Sequence, residues 1–149
     1  MCFELDSEPP IAAIEGGAVD HRDLELDSAD GNRFAAFAAL PEEPSGAGVV
    51  ILPDVRGLYR FYEELALRFA ERGIAAIAFD YFGRTAGVEK RDEDFDYMHH
   101  VQLGEPEQVQ TDLRAAAGCC ASRESRRCSR SASASADAIP GLRPQAATI

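Results

Sequence analysis

No apolar stretch in the 149 residues approaches the length that crosses a bilayer. A run such as "GIAAIAF" (Gly73–Phe79) falls far short of the roughly 20 residues a spanning helix needs. The amino terminus, "MCFELDSEPP", lacks the basic and apolar regions of a secretory signal. A cytoplasmic location is therefore expected. Positive charge is scarce. The net charge of −11 disfavours nucleic acid and anionic membrane surfaces as partners. Disulfide-framework spacing is missing too, so Cys2, Cys119, Cys120 and Cys128 read as thiols. Lysine is nearly absent: Lys90 stands alone against fourteen arginines. Arginine, alanine and glycine have GC-rich codons, which points to a GC-rich gene.

What is present divides into two compositions. Residues 1–117 hold 24 acidic and 10 basic side chains, a net of −14, whereas residues 118–149 hold 2 and 5, a net of +3. Six of the nine serines and three of the four cysteines lie in that last segment. Length alone implies about one domain. The expected organisation is a loose lead-in over 1–20, an ordered domain over 21–117 and a low-complexity tail over 118–149. "SRSASASADAIPGL" (Ser129–Leu142) has the composition of disorder and cannot build a core.

The ordered part reads as α/β. "DLELDSADGNRFAAFAAL" (Asp23–Leu40) predicts a strand, a turn at "DGN" and a second strand, with Leu24 and Leu26 alternating with acids. "VVILP" (Val49–Pro53) and "IAAIAFD" (Ile74–Asp80) are continuous apolar runs, expected as strands buried on both faces. Between them "YRFYEELALRFAERG" (Tyr59–Gly73) repeats Phe61, Leu65 and Phe69 on one face and stops at a glycine. Strand, helix, strand at this spacing is a βαβ unit with parallel strands. "EPEQVQTDLRAAA" (Glu105–Ala117) predicts a second long helix with Val109, Leu113 and Ala116 on one face. The intervening Tyr81–Gly104 reads as a long, polar, irregular loop. Loops after parallel strands often carry function.

The stretch "VVILPDVRGLYRFYEELALRFAERGIAAIAFDYFGRTAG" resembles the dienelactone hydrolase family of α/β-hydrolases. "ILPDVRGL" is similar to that family's loop after its third strand, and "AFDYFGR" to its loop after the fourth. The resemblance implies a truncated α/β-hydrolase fold: amino-terminal strands and two helices of a mostly parallel sheet. It also implies hydrolysis of ester or enol-lactone bonds by a Cys (or Ser)-His-Asp triad, with no cofactor and no metal. Carried over residue by residue, it makes Asp54 the acid beside the nucleophile, where the family often has glutamate. Val55 supplies an oxyanion-hole N–H, and Arg84 holds the substrate carboxylate. A guanidinium suits a carboxylate because it donates two parallel hydrogen bonds.

The nucleophile elbow, Gly-x-Cys/Ser-x-Gly, and the triad histidine should follow the helix that ends near Ala117. Neither is found after that residue. The tail can nevertheless be read one base out of step. With serine as TCN and alanine as GCN, Ser131–Asp137 can encode G-F-C-F-G-G, and Arg127–Ser131 permits V-F-T-V ahead of it. That reading is a buried strand running into a cysteine elbow where the resemblance requires one. The expectation is a hydrolase gene whose product here is truncated, frameshifted and inactive.

The competing expectation, from a different class, is a non-catalytic α/β binding module whose basic Ser/Arg-rich tail contacts an acidic partner. The small-molecule partner of the enzyme reading is an ester or lactone. The sequence leaves the oligomeric state open. Asp54 alone would read as a loop acid or helix cap, and Arg84 as a surface arginine. Adjacent His99–His100 and Cys119–Cys120 lack the spacing of a tetrahedral zinc site. "RDEDFD" (Arg91–Asp96) lacks the order of a calcium loop.

Overall fold

The computed structural model describes residues 6–15, 19–92 and 94–121. The expected frameshifted, low-complexity tail therefore lies outside the described residues, apart from its first four positions. Four strands form one sheet in the order β1-β2-β4-β3. β1 (Val19–Asp27) and β2 (Arg33–Pro41) are an antiparallel hairpin across the expected turn, with Leu26 opposite Phe34 and Leu24 opposite Ala36. β4 (Ala75–Phe79) pairs antiparallel with β2 and parallel with β3 (Gly48–Ile51). The sheet is thus mixed, and β3/β4 is its parallel pair. α1 (Arg60–Ala70) makes the crossover between them, completing the βαβ unit.

Alternation along the strands splits the core in two. Phe37, Ala39, Ala76, Ala78 and Ile51 face α1, where Phe61, Tyr62, Leu65 and Ala66 are buried against them. Phe34, Ala36, Ala38, Ile77 and Phe79 face the other way and meet α4 (Pro106–Ala121) through Ala116 and Cys119. The two-residue period of the strands dictates this sorting. Each fully buried phenylalanine or leucine contributes about 1.5–3 kcal/mol. α4 continues through Ala121, beyond Ala117 where the sequence pattern places its end, and carries Cys119 into the core. Cys119 is disulfide-bonded, which corrects its reading as a thiol; sequence spacing does not reveal which sulfurs meet in space. Cys120 is free, and burial pushes its thiol pKa up.

The Tyr81–Gly104 segment is more ordered than its composition suggests. It contains α2 (Gly83–Ala86) and α3 (Tyr97–Leu103). Neither has a buried residue, so neither leaves an apolar stripe in the sequence. Gly83 opens α2 where a Cβ would come within 2.6 Å of the Arg33 carbonyl oxygen and of Phe34 Cβ. Only glycine allows that approach to β2. Among the described residues β3 pairs on one side only, and Val49 and Val50 are half-buried rather than enclosed. That free edge is a surface open to strand pairing. Among the described residues no helix is long and apolar enough to cross a membrane.

Candidate active site

β3 and β4 run parallel, so their carboxyl ends lie side by side, and the loops leaving them meet. The loop after β3 carries Asp54 in a turn pinned from several directions. The Asp54 N–H donates to the Tyr62 hydroxyl at 2.8 Å. Its carbonyl accepts from the Tyr81 hydroxyl at 2.6 Å and from the Gly57 N–H at 3.0 Å. Its Oδ1 accepts from the Arg56 N–H at 3.0 Å, closing an Asx turn. Its Oδ2 is buried and has no partner. A buried carboxylate oxygen left open is costly and is an acceptor awaiting a donor. Burial raises the Tyr62 hydroxyl pKa, so Tyr62 stays protonated beside Asp54.

Gly57 makes the turn possible. Its φ is +79°, and a Cβ there would sit 2.5 Å from Asp80 Oδ1. Asp80 is 1 % exposed. It accepts from the Leu58 N–H at 3.2 Å and from Arg91 at 2.6 Å through Nη2 and 3.1 Å through Nε. Arg91 also donates to the carbonyls of Ala86 and Gly87. This ion pair ties the loop after β3 to the segment after β4.

A cleft of about 200 Å³ lies beside this turn, lined among others by Val55, Tyr81, Arg84, His100 and Val109. Val55 is 36 % exposed, and its N–H has no hydrogen-bond acceptor among the described residues. Two of the three residues singled out from the sequence, Val55 and Arg84, therefore share one cleft, and Asp54 adjoins it. The sequence pattern places a helix from Glu105 but gives neither its start nor His100 a place in the cleft, because α3 was not recognisable as an element.

Arg84 is not a free guanidinium. Its Nη1 meets Asp30 Oδ2 at 2.7 Å and its Nη2 meets Asp112 Oδ1 at 2.8 Å, while its Nε is buried without a partner. Burial alone would lower the Arg84 pKa, but the bonds to Asp30 and Asp112 outweigh it and the pKa is raised. Asp112 is fully buried and also accepts from the Asn32 amide at 3.2 and 3.3 Å. Its place on the inward stripe of α4, four residues before Ala116, is the signal that could have found it. The Arg84 hydrogen bond is the main cause that holds Asp30 down to about 2 from 3.8, against a smaller opposing effect of burial. A lowered carboxyl pKa contributes stability fully present above the unfolded value and lost as pH falls through the folded one. On acidification from about pH 4 to 2, the thermal midpoint is therefore expected to fall further in the parent than in Asp30→Asn.

Residues 34–132 match the model of the dienelactone hydrolase family. No curated protein matches the sequence. Among solved structures, the chain resembles a protein from Klebsiella pneumoniae subsp. pneumoniae assigned as a dienelactone hydrolase. The two share 22 % identity and a TM-score of 0.59 over 70 % of this chain and 44 % of the other. It also resembles a dienelactone hydrolase-like promiscuous phosphotriesterase from metagenomic libraries, with 24 % identity and a TM-score of 0.53 over 68 % and 44 %. The chain spans less than half the length of either structure.

Proposed function

The chain belongs to the dienelactone hydrolase family, and from that premise we propose that it is the amino-terminal part of a hydrolase acting on ester or enol-lactone bonds of small carboxylate-bearing substrates. The observation that carries the reading is Asp54. Its backbone is held by three hydrogen bonds, one from the N–H and two to the carbonyl, and one carboxylate oxygen is enclosed with nothing to accept from. A thiol or hydroxyl nucleophile delivered to this turn would supply the missing donor, and the carboxylate would draw the proton from it. The Val55 N–H next to it, which has no acceptor among the described residues, suits the oxygen of a tetrahedral intermediate.

The nucleophile, its histidine and the orienting aspartate belong to sequence beyond the fragment. In this proposal they are encoded downstream, in the frame that spells V-F-T-V-G-F-C-F-G-G from Arg127 onward. The chain as it stands is then inactive, and its location is cytoplasmic. The binding-module alternative rests on the basic tail, which lies outside the described residues, and no observation favours it.

The test restores that frame in the gene and assays hydrolysis of p-nitrophenyl acetate and of an enol-lactone. The expected result is turnover by the restored protein and none by the present chain. Replacing the restored cysteine with alanine should lower kcat by about 10⁴-fold or more. DNA at codons 131–137 unable to spell G-F-C-F-G-G, or a folded restored protein with no turnover, would overturn the reading.

A further inference from the structure

One wall of the cleft is α3, which carries His100, and the acyl-transfer reading gives that residue no task. Its ring is held by aromatic neighbours on several sides. Phe95 stacks on it at 5.0 Å with 14° between the planes, Phe82 lies 6.0 Å away, and His99 meets it edge-on at 5.4 Å. Phe95 in turn carries the Arg91 guanidinium over its face at 4.7 Å. An unbroken line of contacts therefore runs from the buried Asp80–Arg91 pair through Phe95 to an imidazole in the cleft wall.

The two ring nitrogens of His100 are not equivalent. Nδ1 is buried and has no hydrogen-bond partner. An enclosed N–H without an acceptor is among the rarest features of folded proteins, so the nitrogen suited to donate is Nε2. The ring lines the cleft, and Nε2 is the nitrogen it offers to a ligand. Arg84 lines the same cleft, with Val55, Val101 and Val109 as apolar surface. A small apolar cleft with a few convergent polar groups is the usual form of a ligand site. At about 200 Å³ it lies below the common range of roughly 300–1,000 Å³, which restricts the occupant to a small molecule.

We propose that His100 is a specificity-determining residue of this cleft: its Nε2–H donates to an oxygen of a small, flat carboxylate or lactone whose negative end faces Arg84. Phe95 is the positioning residue that holds the imidazole plane. The proposal rests on reading the cleft as the substrate site, and it adds the imidazole as a second anchor beside the arginine.

Benzoate is the probe, titrated into the full chain with the ring protons of its three histidines followed by NMR. Saturable shifts are expected at His100 and not at His21, and benzyl alcohol, which lacks the charge, should produce none. His100→Phe keeps the stack and removes the donor, and it should weaken benzoate binding about tenfold, the loss of one hydrogen bond to a charged group. His100→Gln restores a donor and should bind within about threefold of the parent. Phe95→Leu should weaken binding in the parent but not in the His100→Phe background, a dependence that a merely structural role would not give. No saturable shift at His100, or parental affinity in folded His100→Phe, overturns the proposal. Should His100→Phe not fold, the benzoate and benzyl alcohol titrations of the parent decide it. Turnover by the frame-restored enzyme together with benzoate binding indifferent to His100 would remove only this proposal. Benzoate binding at His100 without turnover would remove only the catalytic reading.

Discussion

Arg91→Met is expected to lower unfolding stability by about 3–5 kcal/mol, the cost of leaving one member of a buried ion pair without the other. The side chains of Asp80 and Arg91 are 1 % and 4 % exposed, so water cannot replace the lost partner. Methionine fills much of the arginine stem but donates nothing to Asp80 or to the carbonyls of Ala86 and Gly87. The deficit should depend on pH with a definite sign. Burial is the largest influence on Asp80 and lifts its carboxyl above the ordinary range, while Arg91 opposes the rise. A raised acid pKa contributes stability present below the unfolded value and lost as pH rises through the folded one. Without Arg91 that rise is unopposed, so the variant's deficit should be larger at pH 7 than at pH 5. Urea midpoints at the two values measure it. The double variant Asp80→Asn/Arg91→Met, which removes the orphaned charge, should recover part of the loss at pH 7. A single variant within 1 kcal/mol of the parent at pH 7 would show that the pair does not hold the two loops together.

The elements that were legible in the sequence are those whose side chains face a core with a regular period. β1 alternates at Leu24 and Leu26, β2 follows it across the turn, the face of α1 repeats through Phe61 and Leu65, and the apolar runs of β3 and β4 mark the βαβ unit. α2 and α3 were not legible, because they bury nothing and so impose no period. The candidate site divides in the same way. Asp54, Val55 and Arg84 stand at fixed offsets from β3 and β4, so a motif locates them. His100 reaches the cleft through an exposed helix and a stack of aromatic rings, and Asp112 reaches Arg84 across 28 residues of chain. Such pairings depend on tertiary placement, and no local spacing encodes them.

Arg84 shows most directly how placement changes the meaning of a motif residue. As a carboxylate clamp it should be dispensable for folding. In the structure it is the sole cation hydrogen-bonded to Asp112 among the described residues, and Asp112 is fully buried. Arg84→Met is therefore expected to cost about 3 kcal/mol or more, because it leaves an enclosed carboxylate with only the Asn32 amide. Arg84→Met/Asp112→Leu should regain most of that loss, since replacing both partners by apolar groups removes the unpaired charge. Asp30→Asn should cost far less in the same assay, because the Asp30 side chain is 43 % exposed and water takes its place. If the three urea midpoints fall in that order, the two arms of Arg84 have different work. The Asp112 arm locks α4 to α2. The Asp30 arm is held by an exposed carboxylate, the kind of partner that a ligand's own carboxylate can displace. A motif arginine then binds substrate only by exchanging one acid for another, and a ligand must offer more than its charge to win that exchange. Equal midpoints for Arg84→Met and Asp30→Asn would instead place both arms on the surface and leave Asp112 without a structural role.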